Sequence, residues 1–336
     1  MQAELKTDAG QGEVIRRCLR DHYGIEGSIS RLPGENINFL VNAGQGDRFV
    51  FKIVDEDMPP AIVAMEYELI EHAASKDLGF KLPRILKNRQ GEIETRIKLR
   101  KNAENRARLI EFIDGCLLES RSDISQKTRK SLGKALADFD LALQDFDHSA
   151  AHRNHRWNLA DAGQHRSKLS LIEDPAKRDL LAWAFDLWVA RAKPLLAELP
   201  HQIIHGDAHG ENILMQGESV IGLVDFGDCC FNPTICELGV SLPYMMMGNA
   251  DPEQAAMDIV SAYHRIRPLS RAECAVLMPL ICGRLAVTIS VAAERRRIDS
   301  DHPNWFGSED EAWELLHYLS DNGFGKGKEL FRYEDL

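Results

Sequence analysis

In RFVFKIV, residues 48–54, Phe49, Phe51 and Ile53 fall on one side and Val50, Lys52 and Val54 on the other, the period-2 pattern of a β-strand. From Glu35 to Val54 two apolar runs flank the break AGQGD, which predicts a hairpin. Met65, Leu69, Ile70 and Ala73 then recur at helical spacing and predict a helix over 61–74 that also carries Glu66 and Glu68. Pro83 in KLPRIL ends that helix and begins an extended segment, and 92–99 and 107–113 read as further strands. After Asp114-Gly115 the period changes. Leu132, Leu136, Phe139, Leu143 and Phe146 have helical spacing, so a strand-rich region 1–113 is expected to precede a mainly helical region 114–336, an α/β (α+β) chain. One stretch of the second region is strand-like: between Gln202 and Phe226 an apolar pair, the polar loop HGDAHGEN, Ile213 to Met215, a glycine turn and Val220 to Val224 follow one another. Two short strands joined by that turn would bring Asp207, Asn212 and Asp225 to the same end. Helical spacing resumes over 253–265, 271–294 and 310–320.

At 336 residues, 44% of them hydrophobic, the chain can bury a substantial core. Its net charge of -11 argues against a nucleic-acid or anionic-membrane partner. The first residues lack a basic segment followed by an apolar one, and AVLMPLIC, one of the longest apolar runs, falls short of the roughly 18 residues of a membrane span. A cytoplasmic protein with no membrane partner is expected. Seven scattered cysteines agree with a reducing compartment. Cys229, Cys230 and Cys236 have no CxxC pair opposite them to complete a zinc site.

Asp207, Asn212 and Asp225 supply hard oxygen donors, which suit Mg²⁺ shared with substrate phosphates. Phosphoryl transfer needs the phosphates held, their charge neutralised and a hydroxyl placed in line with a base. That chemistry makes Asp207 the catalytic base and Asn212 and Asp225 the metal ligands. A different reading takes His205, His209 and either Asp207 or Asp225 as the zinc or iron site of a metal-dependent hydrolase, but it leaves Asn212 and Lys52 without a role. A mid-strand lysine such as Lys52 also suits an edge strand guarded against further pairing.

The Asp207, Asn212 and Asp225-Phe226-Gly227 pattern resembles that of protein kinases, where a catalytic Asp precedes an Asn by five residues and a DFG follows. With His205-Gly206 before the Asp, the chain is similar to the aminoglycoside phosphotransferase and choline kinase superfamily. The resemblance implies a two-lobed fold with a small antiparallel-sheet lobe and a larger helical lobe, and ATP or GTP as phosphoryl donor. It gives Lys52 the nucleotide's α and β phosphates and a helix glutamate as partner, Glu68 ahead of Glu66. It also places the nucleotide base against the backbone near Glu111 to Ile113. The phosphate loop departs from the family pattern: LPGENINFLV has the single glycine Gly34, so backbone N–H groups and Asn36 or Asn38 are expected to contribute. GLVDFGDCCFNPTICELGVSL and ICGRLAVTIS look like the hydroxylysine kinases.

An amino-acid acceptor carries a carboxylate, suited to an arginine fork, and ammonium groups, suited to carboxylates. Arg284, in an apolar helical segment, is the candidate for the carboxylate, with pairing to an acid such as Glu237 as the other reading. Asp228 would meet an ammonium or else cap the next helix. Arg295-Arg296-Arg297 reads as a solvated helix end. The expected acceptor is a small hydroxylated amine or amino acid, hydroxylysine first, then choline, ethanolamine or homoserine, then an aminoglycoside. Trp305, Phe306 and Trp313 offer an aromatic cage for choline or, more simply, packing.

Overall fold

The computed structural model describes residues 9–33, 37–55, 57–100, 103–121, 124–302, 305–324 and 329–336. Gly34 and Asn36 lie outside them. The chain forms two compact units, one built from the chain up to Glu71 together with Leu82–Asp114, the other from His72–Lys81 with Gly115–Leu336.

In the first unit the strands β1 (Gly27–Arg31), β2 (Asn38–Ala43), β3 (Arg48–Ile53), β4 (Ile85–Leu86), β5 (Thr95–Arg100) and β6 (Ala103–Glu111) form an antiparallel sheet. Its order is β1-β2-β3-β6-β4, with β5 also paired to β6. The predicted hairpin is β2 and β3, with Asn38 opposite Lys52. Lys52 is also register-paired with Arg108 on β6, so it sits on a central strand and the edge-strand reading does not hold. Phe39, Val41, Phe51 and Leu109 are fully buried on one face against Ile15 and Leu19 from α1 (Ala9–Cys18) and the short helix that follows it. Burying each such side chain contributes roughly 1.5–3 kcal/mol. The strand-dominated reading of this region omits α1.

Helix α2 (Pro60–Ala74) lies on the opposite sheet face. Ile62, Val63, Met65, Glu66, Leu69, Ile70 and Ala73 are its buried positions, most of them spaced by three and four. Glu66 forms an ion pair with Arg108, both side chains nearly inaccessible. Glu68, the expected partner of Lys52, is exposed. The helix phase that buries Met65 and Leu69 turns Glu66 inward to Arg108 and leaves Glu68 on the exposed side. Glu111 ends β6 with its N–H donated to the Arg84 carbonyl (2.8 Å), and Ile113 is buried.

The second unit begins with the last turn of α2. His72 and Lys76 both reach Asp145, each at 2.8 Å, and Lys81 exchanges backbone hydrogen bonds with Ile221 and Leu223. A single cut near residue 113 does not anticipate this grouping. The unit continues through β7 (Cys116–Leu117), α3 (Gln126–Ala142), α4 (Pro175–Leu187), α5 (Lys193–Leu196), β8 (His201–Ile204), β9 (Ile213–Gln216), β10 (Ser219–Leu223) and β11 (Cys230–Pro233) to α6 (Cys236–Met246), α7 (Pro252–His264), α8 (Arg271–Arg296) and α9 (Glu309–Asp321). A kinked helical segment, Leu159–Leu171, packs on α8. At Gly133 helices α3 and α7 approach so closely that a Cβ would sit 2.2 Å from the Ile259 carbonyl oxygen. Helix α8 is long and apolar enough to cross a membrane, contrary to the reading of its shorter runs, but 89% of that window is buried within the protein, as befits a core helix.

Removing one partner of a buried ion pair leaves the other charge uncompensated. Glu66→Ala is expected to destabilise the strand-rich unit by about 3–5 kcal/mol in chemical denaturation, and Arg108→Met in the same chain to recover most of that loss.

Candidate active site

The loop 205–212 joins β8 to β9, and the loop 224–229 joins β10 to β11. Strands β8 and β11 pair with Ile204 opposite Cys230, while β9 and β10 pair with Ile213 opposite Leu223. Both loops are thus held at each end by the same two ladders. Hydrogen bonds complete the bracket: Val224 N–H donates to the Asn212 carbonyl (3.0 Å), and His205 Nε2 to the Val224 carbonyl (3.0 Å). Gly206 has φ +73°, and a Cβ there would lie 3.0 Å from the Asp228 carbonyl oxygen, so the glycine is required by conformation and by space. From beneath, the buried Glu237 of α6 accepts the N–H groups of His205 (2.6 Å) and Gly206 (3.4 Å) on Oε2.

His205 is fully buried between Phe139 and Phe226. Its Nε2 serves Val224, and its Nδ1 accepts the Asp207 N–H (3.3 Å). With both ring nitrogens engaged it has no lone pair for a metal, which removes the hydrolase site built on His205, His209 and Asp225. Among the described residues no group of three His, Cys, Asp or Glu side chains is placed to hold a metal ion. Burial pushes the His205 pKa down, keeping the ring neutral.

Asp207 is the most heavily coordinated side chain of the loop. Arg284 Nη2 donates to Oδ1 (3.3 Å), Asn212 Nδ2 to Oδ2 (3.0 Å), and His209 Nε2 lies 3.3 Å from Oδ2. Burial alone would raise this carboxyl, but the hydrogen bond and charge of His209, then the charge of Arg284, hold it below its ordinary value. The reciprocal effect raises His209 against its own burial. A carboxylate offers about four acceptor positions. Three are filled by the protein's own donors, leaving one for a further hydroxyl.

Asn212 donates its amide nitrogen to both the carbonyl and the carboxylate of Asp207, so its Oδ1 is the atom left to meet a cation. Asp225 follows Val224, whose N–H is bound to the Asn212 backbone, and is the single described non-glycine residue with positive φ (60°). Such a conformation costs of order 1–3 kcal/mol and concentrates at functional positions. One amide oxygen and one carboxylate fit Mg²⁺, which retains waters and shares phosphate oxygens.

Arg284 is 2% exposed and places its guanidinium over Trp157 (4.9 Å) and Tyr244 (5.5 Å). Nη2 also donates to the Tyr244 hydroxyl (3.0 Å), and Nη1 to the Trp157 carbonyl (3.5 Å). Its acidic partner is Asp207, not Glu237. Sequence spacing could not reveal a contact between residues 77 positions apart. The other aromatic expectation also changes, since Trp305 carries Arg295 (5.2 Å) and His302 (4.0 Å), Phe306 carries Arg296 (4.7 Å), and Trp313 carries Lys177 (5.1 Å). Arg296 pairs with Glu309, so the arginine run is packed at two positions and not simply solvated.

Asp228 ends a short turn, 3.6 Å from His155 Nδ1. Burial and then Arg153 push His155 down to about 4; it is neutral near pH 7 and does not compensate Asp228. Burial first, then the charges of Asp207 and Asp225, push Asp228 up to about 6. An ammonium group would relieve that repulsion.

Residues 28–274 match the family model described as "Phosphotransferase enzyme family". The chain is 23% identical over 322 residues to hydroxylysine kinase of Mus musculus, covering 88% of this chain and 85% of that one. It is 27% identical over 282 residues to homoserine kinase of Methylocella silvestris, covering 80% and 82%. Among solved structures, a microcompartment-associated aminopropanol kinase superposes with a TM-score of 0.75 at 18% identity, covering 93% of this chain and 98% of that one, which establishes a common fold.

Because the Asp228 pKa is raised on folding, its contribution to stability is fully present below the unfolded value of about 3.9 and is lost as pH rises through about 6. Asp228→Asn is therefore expected to raise the melting temperature by a few degrees at pH 7.5 and to leave it nearly unchanged at pH 4, as read by thermal denaturation.

Proposed function

This chain belongs to the phosphotransferase enzyme family, and within it we propose a magnesium-dependent kinase that transfers the γ-phosphate of ATP or GTP to the side-chain hydroxyl of a small amino acid, hydroxylysine first and homoserine second. The enzyme class is that of phosphotransferases with a hydroxyl group as acceptor, on the protein-kinase-like fold. The observation that carries the mechanism is the one remaining acceptor position of Asp207. An acceptor hydroxyl donating there has its oxygen lone pair free for the γ-phosphorus. As the new P–O bond forms and the bond to the nucleoside diphosphate breaks, the hydroxyl proton passes to Asp207. Its depressed pKa keeps Asp207 ionised and accepting, while His209, Asn212 and Arg284 fix the carboxylate plane.

Asn212 Oδ1 and the Asp225 carboxylate would hold Mg²⁺, which when bound neutralises phosphate charge. Lys52 of the strand-rich unit is assigned to the α and β phosphates, with Glu68 as its helix carboxylate. The backbone near Glu111 and Ile113 is assigned to the nucleotide base.

Charge supports an amino acid over the other acceptors. Asp228, pushed up by burial and by the charges of Asp207 and Asp225, suits a substrate ammonium. A quaternary ammonium needs open aromatic faces, and here those of Trp157, Tyr244 and Trp305 are occupied by guanidinium groups. The same guanidinium groups oppose a polycationic aminoglycoside.

Asp207→Asn is expected to lower kcat by about 10²–10⁴ with nucleotide affinity nearly unchanged, in a coupled assay of nucleoside diphosphate release with hydroxylysine; retained activity would remove Asp207 as the base. Asp225→Asn should weaken Mg²⁺ and nucleotide together, so that nucleotide-dependent thermal stabilisation requires much more Mg²⁺. An unchanged Mg²⁺ dependence counts against that ligand.

A further inference from the structure

The chain between Arg153 and Asn158 forms neither helix nor strand, yet its side chains engage the 224–229 loop and β11 one after another. Arg153 Nη2 donates to the carbonyls of both Gly227 and Cys229, the second at 3.3 Å. His155 Nε2 lies 3.3 Å from Cys230 Sγ, and its Nδ1 3.6 Å from Asp228 Oδ1. Asn158 Oδ1 accepts from Asn232 Nδ2 (3.0 Å). The same segment also meets Arg284, through the Trp157 carbonyl (3.5 Å) and ring (4.9 Å). It therefore touches both the arginine on Asp207 and the loop that carries Asp225. Residues 224–229 lie outside both strand ladders, so carbonyls in this turn need donors from elsewhere. A guanidinium supplies charge-assisted ones, and here a single nitrogen gathers two carbonyls that flank Asp228.

We propose that Arg153 is a positioning residue for phosphoryl transfer, closing the 225–229 turn so that the metal carboxylate of Asp225 and the ammonium-binding carboxylate of Asp228 are held by one clamp. The clamp rests on the kinase reading above. Arg153 acts through Gly227 and Cys229 and needs no contact with metal or acceptor. Two features of the turn call for an added restraint. Asp225 opens it at φ 60°, a conformation that persists only where the surroundings over-determine it. Asp207, Asp225 and Asp228 also repel one another, since the charges of the first two push the third up. Arg153 opposes both effects: its hydrogen bonds fix the carbonyls on either side of Asp228, and its charge acts on Asp228 against those of the carboxylates. Its Nε is buried without a hydrogen-bond partner, a cost that hydrogen bonds from a charged donor offset. Asp225 and Asp228 stand on the same clamped stretch, so release of the clamp disturbs both together. That joint response separates Arg153 from a residue serving only one of them.

The test compares wild type with Arg153→Met and Arg153→Lys, each verified as folded by its melting temperature. In the free protein, amide hydrogen exchange read by mass spectrometry should quicken about 10- to 100-fold over residues 225–230 of Arg153→Met, as for loss of hydrogen bonds from a charged donor, while α3 and α8 stay protected. With hydroxylysine as acceptor, kcat should fall about 10- to 100-fold, as is usual for groups that hydrogen-bond behind a metal ligand. The Mg²⁺ needed for thermal stabilisation by a non-hydrolysable nucleotide and the KM for the acceptor should rise together. Arg153→Lys, which keeps the charge and can donate to one carbonyl, should recover part of each change. It should still exchange faster than wild type in the turn, which keeps the test intact if the methionine variant does not fold. Unchanged exchange in the turn, or a shift in Mg²⁺ requirement without one in acceptor KM, overturns the clamp and leaves the kinase reading standing. Wild type that phosphorylates no hydroxylated amine or amino acid overturns the kinase reading, on which the exchange measurement does not depend.

Discussion

The structure of the catalytic unit turns on one partly buried carboxylate and the donors that surround it. Asp207 accepts from Arg284 and Asn212 and stands beside His209. Without these partners burial would push this partly buried carboxyl toward protonation. With them it stays ionised, fixed in plane and short of one hydrogen bond. Each partner reaches it from a different part of the chain: Asn212 and His209 from its own loop, and Arg284 from α8, 77 residues on. The arrangement requires the loop and the core helix to be formed together, and for that reason a guanidinium can be buried at 2% exposure within an apolar helix.

The fold supplies the required precision through two crossed ladders. β8 with β11 and β9 with β10 hold the Asp207 loop and the Asp225 loop at both ends, and the bond from Val224 to Asn212 ties them midway. Glu237 braces the entry to the first loop from below. Burial and then the neighbouring Asp140 push its carboxyl well up. That cost is offset by two backbone donors that would otherwise be left unsatisfied. The catalytic carboxylate is thus positioned mainly by backbone ladders and buried polar contacts, and its loops need little contribution from side chains on the surface.

Much of this was legible in the chain. The interval between Asp207 and Asn212, the hairpin that follows and Asp225 after it are local, and hairpin geometry alone predicts that their ends meet. The strand carrying Lys52 and the helices α2, α7, α8 and α9 follow from periodicity for the same reason. The burial of Glu66 against Arg108 was also within reach, since the apolar phase of α2 places position 66 between Ile62, Met65, Leu69 and Ile70. What periodicity cannot carry is long-range pairing. The ladder between β8 and β11, the association of His72–Lys81 with Asp145 and Ile221, and the partners of Arg284 and Arg295 all depend on how distant segments pack. The segment Leu159–Leu171 has a weak amphipathic signal that a loop reading absorbs, whereas α1 is amphipathic but short and polar on average, and the strand-dominated reading passes over it.

The most direct test is a crystal structure with Mg²⁺, a non-hydrolysable nucleoside triphosphate and hydroxylysine. The predicted result is Asn212 Oδ1 and the Asp225 carboxylate on the metal, with Asp207 off it, still held by Arg284 and accepting the acceptor hydroxyl. Asp207 bound directly to the metal, or an acceptor hydroxyl out of its reach, would contradict the account.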